Sequence, residues 1–136
     1  MGERAQVRIE QTNEPAWDSE NNPDVYLYTH WGGLTILEDV AAGLVQGKTR
    51  WGDCEYLTRI ILDSLIGDHH RADPTTGFGI GTCQHPDIDK LVTIFPVRQQ
   101  VQLEILLWSD PKEDENDLVQ TWDFEEFIGI YGIKNP

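Results

Sequence analysis

Tyr26, Tyr28 and His30 fall at alternate positions in the run Val25-Tyr26-Leu27-Tyr28-Thr29-His30-Trp31-Gly32-Gly33. On a strand, that spacing puts the three rings on one face and Val25, Leu27, Thr29 and Trp31 on the other. The rings offer stacking surface, and the hydroxyls and imidazole offer hydrogen bonds. Gly32 and Gly33 let backbone come close to a bound group. A helix starting just after them would present free N–H groups to an anion. Arg59 sits at the margin of a later apolar stripe and suits bidentate binding of a phosphate or carboxylate. The candidate ligand-binding set is therefore Tyr26, Tyr28, His30, Trp31, Gly32, Gly33 and Arg59. The competing structural reading is that the rings cover a sheet, the glycines turn the chain, and Arg59 pairs with Asp63 one helical turn on.

Other chemistry is less well specified. His69, His70, Asp73, Cys83 and His85 gather N, O and S donors within a short stretch, and zinc accepts all three. Their spacing matches no standard ligand pattern, so no metal and no cofactor is assigned. Thr76-Gly77-Phe78-Gly79-Ile80-Gly81-Thr82 lacks both the dinucleotide and the phosphate-loop spacings. It reads as a glycine-rich strand, where glycine often marks close approach by backbone or ligand. No nucleophile elbow is present. Cys54 falls near a helix start, where the dipole can activate a thiol, but no base is placed beside it, so it is read as structural. No catalytic residue is assigned.

The C-terminal part is strongly acidic. Between Asp110 and Glu126 stand eight carboxylates and one lysine. Asp110, Glu113, Asp114, Glu115 and Asp117, with Trp122 beside them, form a candidate partner-binding surface. An acidic surface of this kind can imitate the phosphate rail of DNA, although a charge run is more commonly a solvated loop.

The elements that must position these residues follow from periodicity. Residues 6–10 alternate and read as a strand, residues 11–24 as a loop, and 25–31 as the second strand of a hairpin. Thr35 and Glu38 have capping-box spacing ahead of a helix carrying Ile36, Leu37, Val40, Ala41, Leu44 and Val45 on one stripe. A second helix starts at Asp53, buries Leu57, Ile60, Ile61 and Leu65, and ends at Gly67. The two helices are predicted to pack as an αα-hairpin. Residues 91–97 and the alternation of Val101, Leu103, Ile105 and Leu107 give another hairpin. An exposed acidic loop spans 109–120, and a short helix opens near Thr121 with Trp122, Phe127 and Ile128 as anchors. The order ββ-αα-βββ-α predicts a single α+β domain over 1–136. It would be an antiparallel sheet of about five strands with helices on one face.

The totals agree with that class. With 136 residues, 39% hydrophobic and 25% charged, the chain is long enough to bury a core and fits a soluble globular protein. Ten basic against 24 acidic residues give a net charge of −14. That argues against direct nucleic-acid binding through phosphates and against binding to anionic membranes. It is compatible with a basic partner or a cationic ligand. No apolar run approaches the ~20 residues of a membrane helix, and no signal-peptide stretch follows Met1. Two cysteines are too few for a disulfide framework, so the expected compartment is the cytoplasm with both thiols reduced.

The segments GERA at 2–5, VYLYTHWGG at 25–33, WGDCEYLTRII at 51–61 and TGFGIGT at 76–82 resemble a set of short uncharacterised proteins of actinobacteria and their phages. The resemblance covers roughly residues 2–107 and leaves out the acidic tail. It implies a phage or mobile-element origin and a common site near the joined motifs, and it supplies no catalytic residue. Together these readings predict a non-enzymatic binding protein. It would either occupy a host protein, such as a defence protein, or sequester a small anionic or aromatic ligand. The alternatives are a small hydrolase or transferase with His30 as general base, and a structural phage component. Oligomeric state is left open.

Overall fold

The computed structural model describes residues 4–11, 24–30, 32–67, 75–106 and 119–132. Its frame is one six-stranded sheet with strands β1 (Ala5–Ile9), β2 (Val25–Thr29), β3 (Phe78–Gly81), β4 (Lys90–Phe95), β5 (Gln100–Ile105) and β6 (Val119–Asp123). Among the described residues three α-helices accompany it: α1 (Ile36–Gln46), α2 (Cys54–Ile66) and α3 (Phe124–Tyr131). Across the sheet the order is β3-β2-β1-β4-β5-β6.

The α+β class follows from the patterning, and two details of the expected sheet are corrected. The sheet is mixed rather than antiparallel, because β1 pairs parallel with β4, Val7 opposite Val92 and Ile9 opposite Ile94. The β1–β2 hairpin uses one edge of β1 and leaves the other for a strand from far along the chain. Alternation specifies which face a residue takes but not which strand becomes its neighbour. The second correction is a sixth strand. Val119–Asp123 pairs antiparallel with β5, Val101 opposite Trp122, where the sequence predicted loop to 120 and helix from Thr121. The helix opens three residues later, with Asp123 and Glu126 forming a reciprocal capping box. The rest of the predicted acidic loop, 109–118, lies outside the described residues.

The odd-numbered residues of β1 and their partners point to the helices. Val7, Ile9, Leu27, Val92, Ile94, Val101 and Leu103 join Ile36, Val40, Leu44, Leu57, Ile61, Phe124 and Phe127 in one buried core. The alternate set, including Gln6, Arg8, Tyr26 and Tyr28, lies on the opposite face.

Helices α1 and α2 pack together as predicted. Their approach is close at Gly43, where an added Cβ would stand 3.3 Å from the Ile61 Cα, so a larger residue would push backbone apart. Asp53 caps α2 by accepting from the Tyr56 N–H at 3.4 Å. The expected Thr35/Glu38 capping box does not form. Residues 32–35 make a 3₁₀ turn, and the Thr35 hydroxyl instead donates to Asp39 Oδ2 at 3.0 Å. No helix among the described residues is long and apolar enough to cross a membrane.

Candidate functional site

The face of the sheet turned away from the helices carries a groove of about 270 Å³ between β2 and β3. Tyr28 stands opposite Gly79 across the ladder, and Tyr26 opposite Gly81. A Cβ added at either glycine would meet nothing within 4 Å. Packing therefore does not demand glycine here, and its effect is to leave the space beside the tyrosines open.

The far wall is the loop after β3. His85 lies flat against Tyr28, ring centroids 4.0 Å apart and planes 15° from parallel. The loop is fixed by Gln6, whose side chain is 1% exposed. Its Nε2 donates to the Cys83 carbonyl at 3.1 Å, and its Oε1 accepts the His85 backbone N–H at 2.8 Å. Both polar ends of the buried amide are thus satisfied. Cys83 is exposed and lines the groove. Ile80 borders it too, but its register opposite Leu27 turns its side chain to the other face of the sheet.

Arg8 and Asp24 stand near this face. Arg8 pairs across the ladder with Tyr26, and its Nε donates to Asp24 Oδ2 at 2.7 Å. Arg4 Nη1 lies 3.5 Å from Asp87 Oδ2. Among the described residues, these two arginines each face a carboxylate, and neither lines the groove.

The structure gathers part of the sequence-derived set. Tyr26 and Tyr28 share the groove, as their alternation required. His30 follows β2 and is half-buried, but it is not part of the groove lining. Gly32 donates its N–H to Thr29 Oγ1 at 3.0 Å, and Gly33 gives its carbonyl to Lys90 Nζ at 2.9 Å. Those contacts turn the chain and tie it to β4. Arg59 is exposed on α2, across the sheet from the tyrosines. Trp31 lies outside the described residues, as do Asp110, Glu113, Asp114, Glu115 and Asp117. Trp122 is half-buried on the helix side, 5.4 Å from Phe127 and 5.7 Å from Tyr131 by ring centroids. His69, His70 and Asp73 also lie outside the described residues. Among the described residues no group of three or more His, Cys, Asp or Glu is placed to hold a metal.

Six residues that line the groove, Gln6, Gly79, Ile80, Gly81, Cys83 and His85, were not in that ligand-binding set. His85 is separated from Tyr28 by two helices and a strand, so no local pattern points to their contact. Gln6 reads in sequence as the polar half of an alternating strand, with nothing to mark its burial. Cys54 is buried, and burial together with Glu55 and Asp53 pushes its thiol upward from the usual range.

A second depression, of about 290 Å³, lies where Trp51, Arg98, Gln99 and Phe124 meet. Its polar groups are engaged within the fold. Arg98 lies over the Phe95 ring at 3.9 Å, Asp123 caps α3, and Glu125 faces Lys48 at 3.6 Å. It offers less unclaimed binding chemistry than the tyrosine groove.

Comparison with protein-family models, with curated proteins and with solved structures finds no match to this chain.

Proposed function

We propose that this chain is a binding protein that takes up a small ligand, or a single projecting group of a larger one, in the groove between β2 and β3. One observation carries the reading. Two tyrosines and a stacked histidine border a space that two glycines leave open without any packing reason. Ligand sites commonly combine ring surface with a few fixed polar groups. At about 270 Å³ the groove is smaller than a typical drug-sized site, so it fits a compact group rather than a dinucleotide. The reading rests on ring surface rather than on a fixed positive charge: Arg59 stands on the other side of the sheet, and no Lys or Arg lines the groove among the described residues. A phage or mobile-element origin belongs to the same proposal and rests on the motif resemblance alone.

The test is to fill the groove without unfolding the sheet. Gly79→Val adds a β-prone side chain where no atom opposes its Cβ. Native mass spectrometry after incubation with cell extract is expected to show a small adduct on the wild type and none on this variant. Identical adduct patterns, or no adduct on either, would refute the groove as the binding site.

A further inference from the structure

We propose that the groove is selective for organic cations, with quaternary ammonium groups favoured over protonated amines. This rests on the groove being the ligand site and adds what it selects.

The charge of the chain favours a cation. The chain carries −14 overall, which attracts cations and repels anions at long range. Among the described residues, the arginines beside this face, Arg4 and Arg8, each face a carboxylate. Nothing lining the groove among the described residues supplies a fixed positive charge to hold an anion.

The rings favour a cation as well. Aromatic faces attract cations through their quadrupole, and several rings around one space give the strongest effect. Tyr26 stands two residues along β2 from Tyr28, roughly 7 Å by strand geometry. The His85 ring is layered on Tyr28. The result is a broad aromatic border with the glycines opposite.

The absence of carboxylates separates one cation from another. No Asp or Glu lines the groove among the described residues. A primary ammonium ion brings three N–H donors that would lose water without gaining a carboxylate. A quaternary ammonium has no donors to leave unsatisfied and spreads its charge over methyl groups that pack on rings. The groove's size suits one such head group. The same chemistry can arrive as a free small cation or as the methylated side chain of a peptide lying along β3.

The experiment titrates labelled full-length protein with choline, with its neutral isostere 3,3-dimethylbutan-1-ol, and with ethanolamine, reading the Gly79, Gly81 and His85 amide resonances. Choline is expected to shift these signals saturably and to bind about tenfold more tightly than the isostere. Ethanolamine is expected to bind more weakly than choline. Tyr26→Leu should reduce choline affinity several-fold while leaving the isostere unchanged. A short peptide carrying a central trimethyllysine distinguishes the sources. Tighter binding than choline, with slowed amide exchange along β3, assigns the site to a side chain, and equal binding assigns it to a free cation. If the isostere binds as well as choline, or ethanolamine binds better, cation selectivity as stated is overturned while the groove remains the ligand site. If none of the probes moves these resonances but an adduct lost in Gly79→Val is still found, the selectivity falls alone. If that adduct is also absent, both readings fall.

Discussion

Gln6 accepts the backbone N–H of His85 at 2.8 Å across 79 positions of sequence. Its other end donates to the Cys83 carbonyl. One side chain in the first strand therefore sets where the histidine ring stands against Tyr28. Replacing Gln6 with Leu keeps the volume and strands two backbone groups in a buried place. Each unmet group costs on the order of 1 kcal/mol or more. We expect a loss of roughly 2 kcal/mol, a melting temperature lower by about 6–8 °C, and loss of groove binding. Unchanged stability in a denaturant titration would show that water replaces the amide at no cost.

The two thiols should differ sharply in reactivity. Cys83 is exposed at the groove, whereas Cys54 is buried and its thiol is pushed upward by burial and two nearby carboxylates. The thiolate is the reactive form. Alkylation of the native protein at neutral pH is expected to modify Cys83 and spare Cys54 until denaturant is added. A ligand in the groove should slow the reaction at Cys83. Peptide mapping after timed quenching measures both, and rapid native labelling of Cys54 would contradict the burial assigned to α2.

Gln99 has φ of 56°, in the left-handed region, at the end of the β4–β5 turn. Its carbonyl accepts the Phe124 N–H at 2.9 Å, so the strained residue also anchors the start of α3. Glycine reaches this conformation without the Cβ clash. Gln99→Gly is expected to raise stability by about 0.5–1 kcal/mol, with the backbone contact to Phe124 kept. A thermal melt decides it, and a fall would mean that the Gln99 side chain contributes more than its backbone strain costs.

Asp39 makes the stability of the fold depend on pH. Burial, chiefly, and Glu38 raise its carboxyl above the ordinary range, against the opposing hydrogen bond from Thr35. The folded state thus holds the proton more tightly than the unfolded chain. Stability from this group is full below the unfolded value of 3.8 and is lost as pH rises through the higher folded value. Asp39→Asn keeps an acceptor for Thr35 and removes the charge. Its melting temperature relative to wild type should be higher at pH 7 than at pH 3. The reverse order would mean that the helix dipole outweighs burial at this position.

What could be read from sequence divides by range. The two faces of β2 followed from alternation alone, as did the Asp53 cap, because each depends on residues a few positions apart. The groove did not follow. Tyr26 and Tyr28 were visible, but their wall comes from Gln6, Gly79, Gly81 and His85, brought together by strand order. Arg59 has suitable chemistry on a correctly placed helix, yet the sheet stands between it and the tyrosines. Strand β6 was hidden for a local reason. Trp122, Phe127 and Ile128 space well for a helix, and only the ladder to β5 shows that Trp122 belongs to a strand.

The parallel seam between β1 and β4 has a consequence for how the chain reaches this state. A hairpin can close as soon as its second strand exists, so β1 and β2 can pair early. The other edge of β1 must wait for residues 90–95, after both helices and β3. Joining ends across so long a stretch carries a large closure entropy and makes such contacts slow. Until then the Ala5–Ile9 ribbon presents an open row of backbone donors and acceptors that any passing strand can join. The seam in the middle of the finished sheet is therefore the place where a stalled molecule would first stick to another.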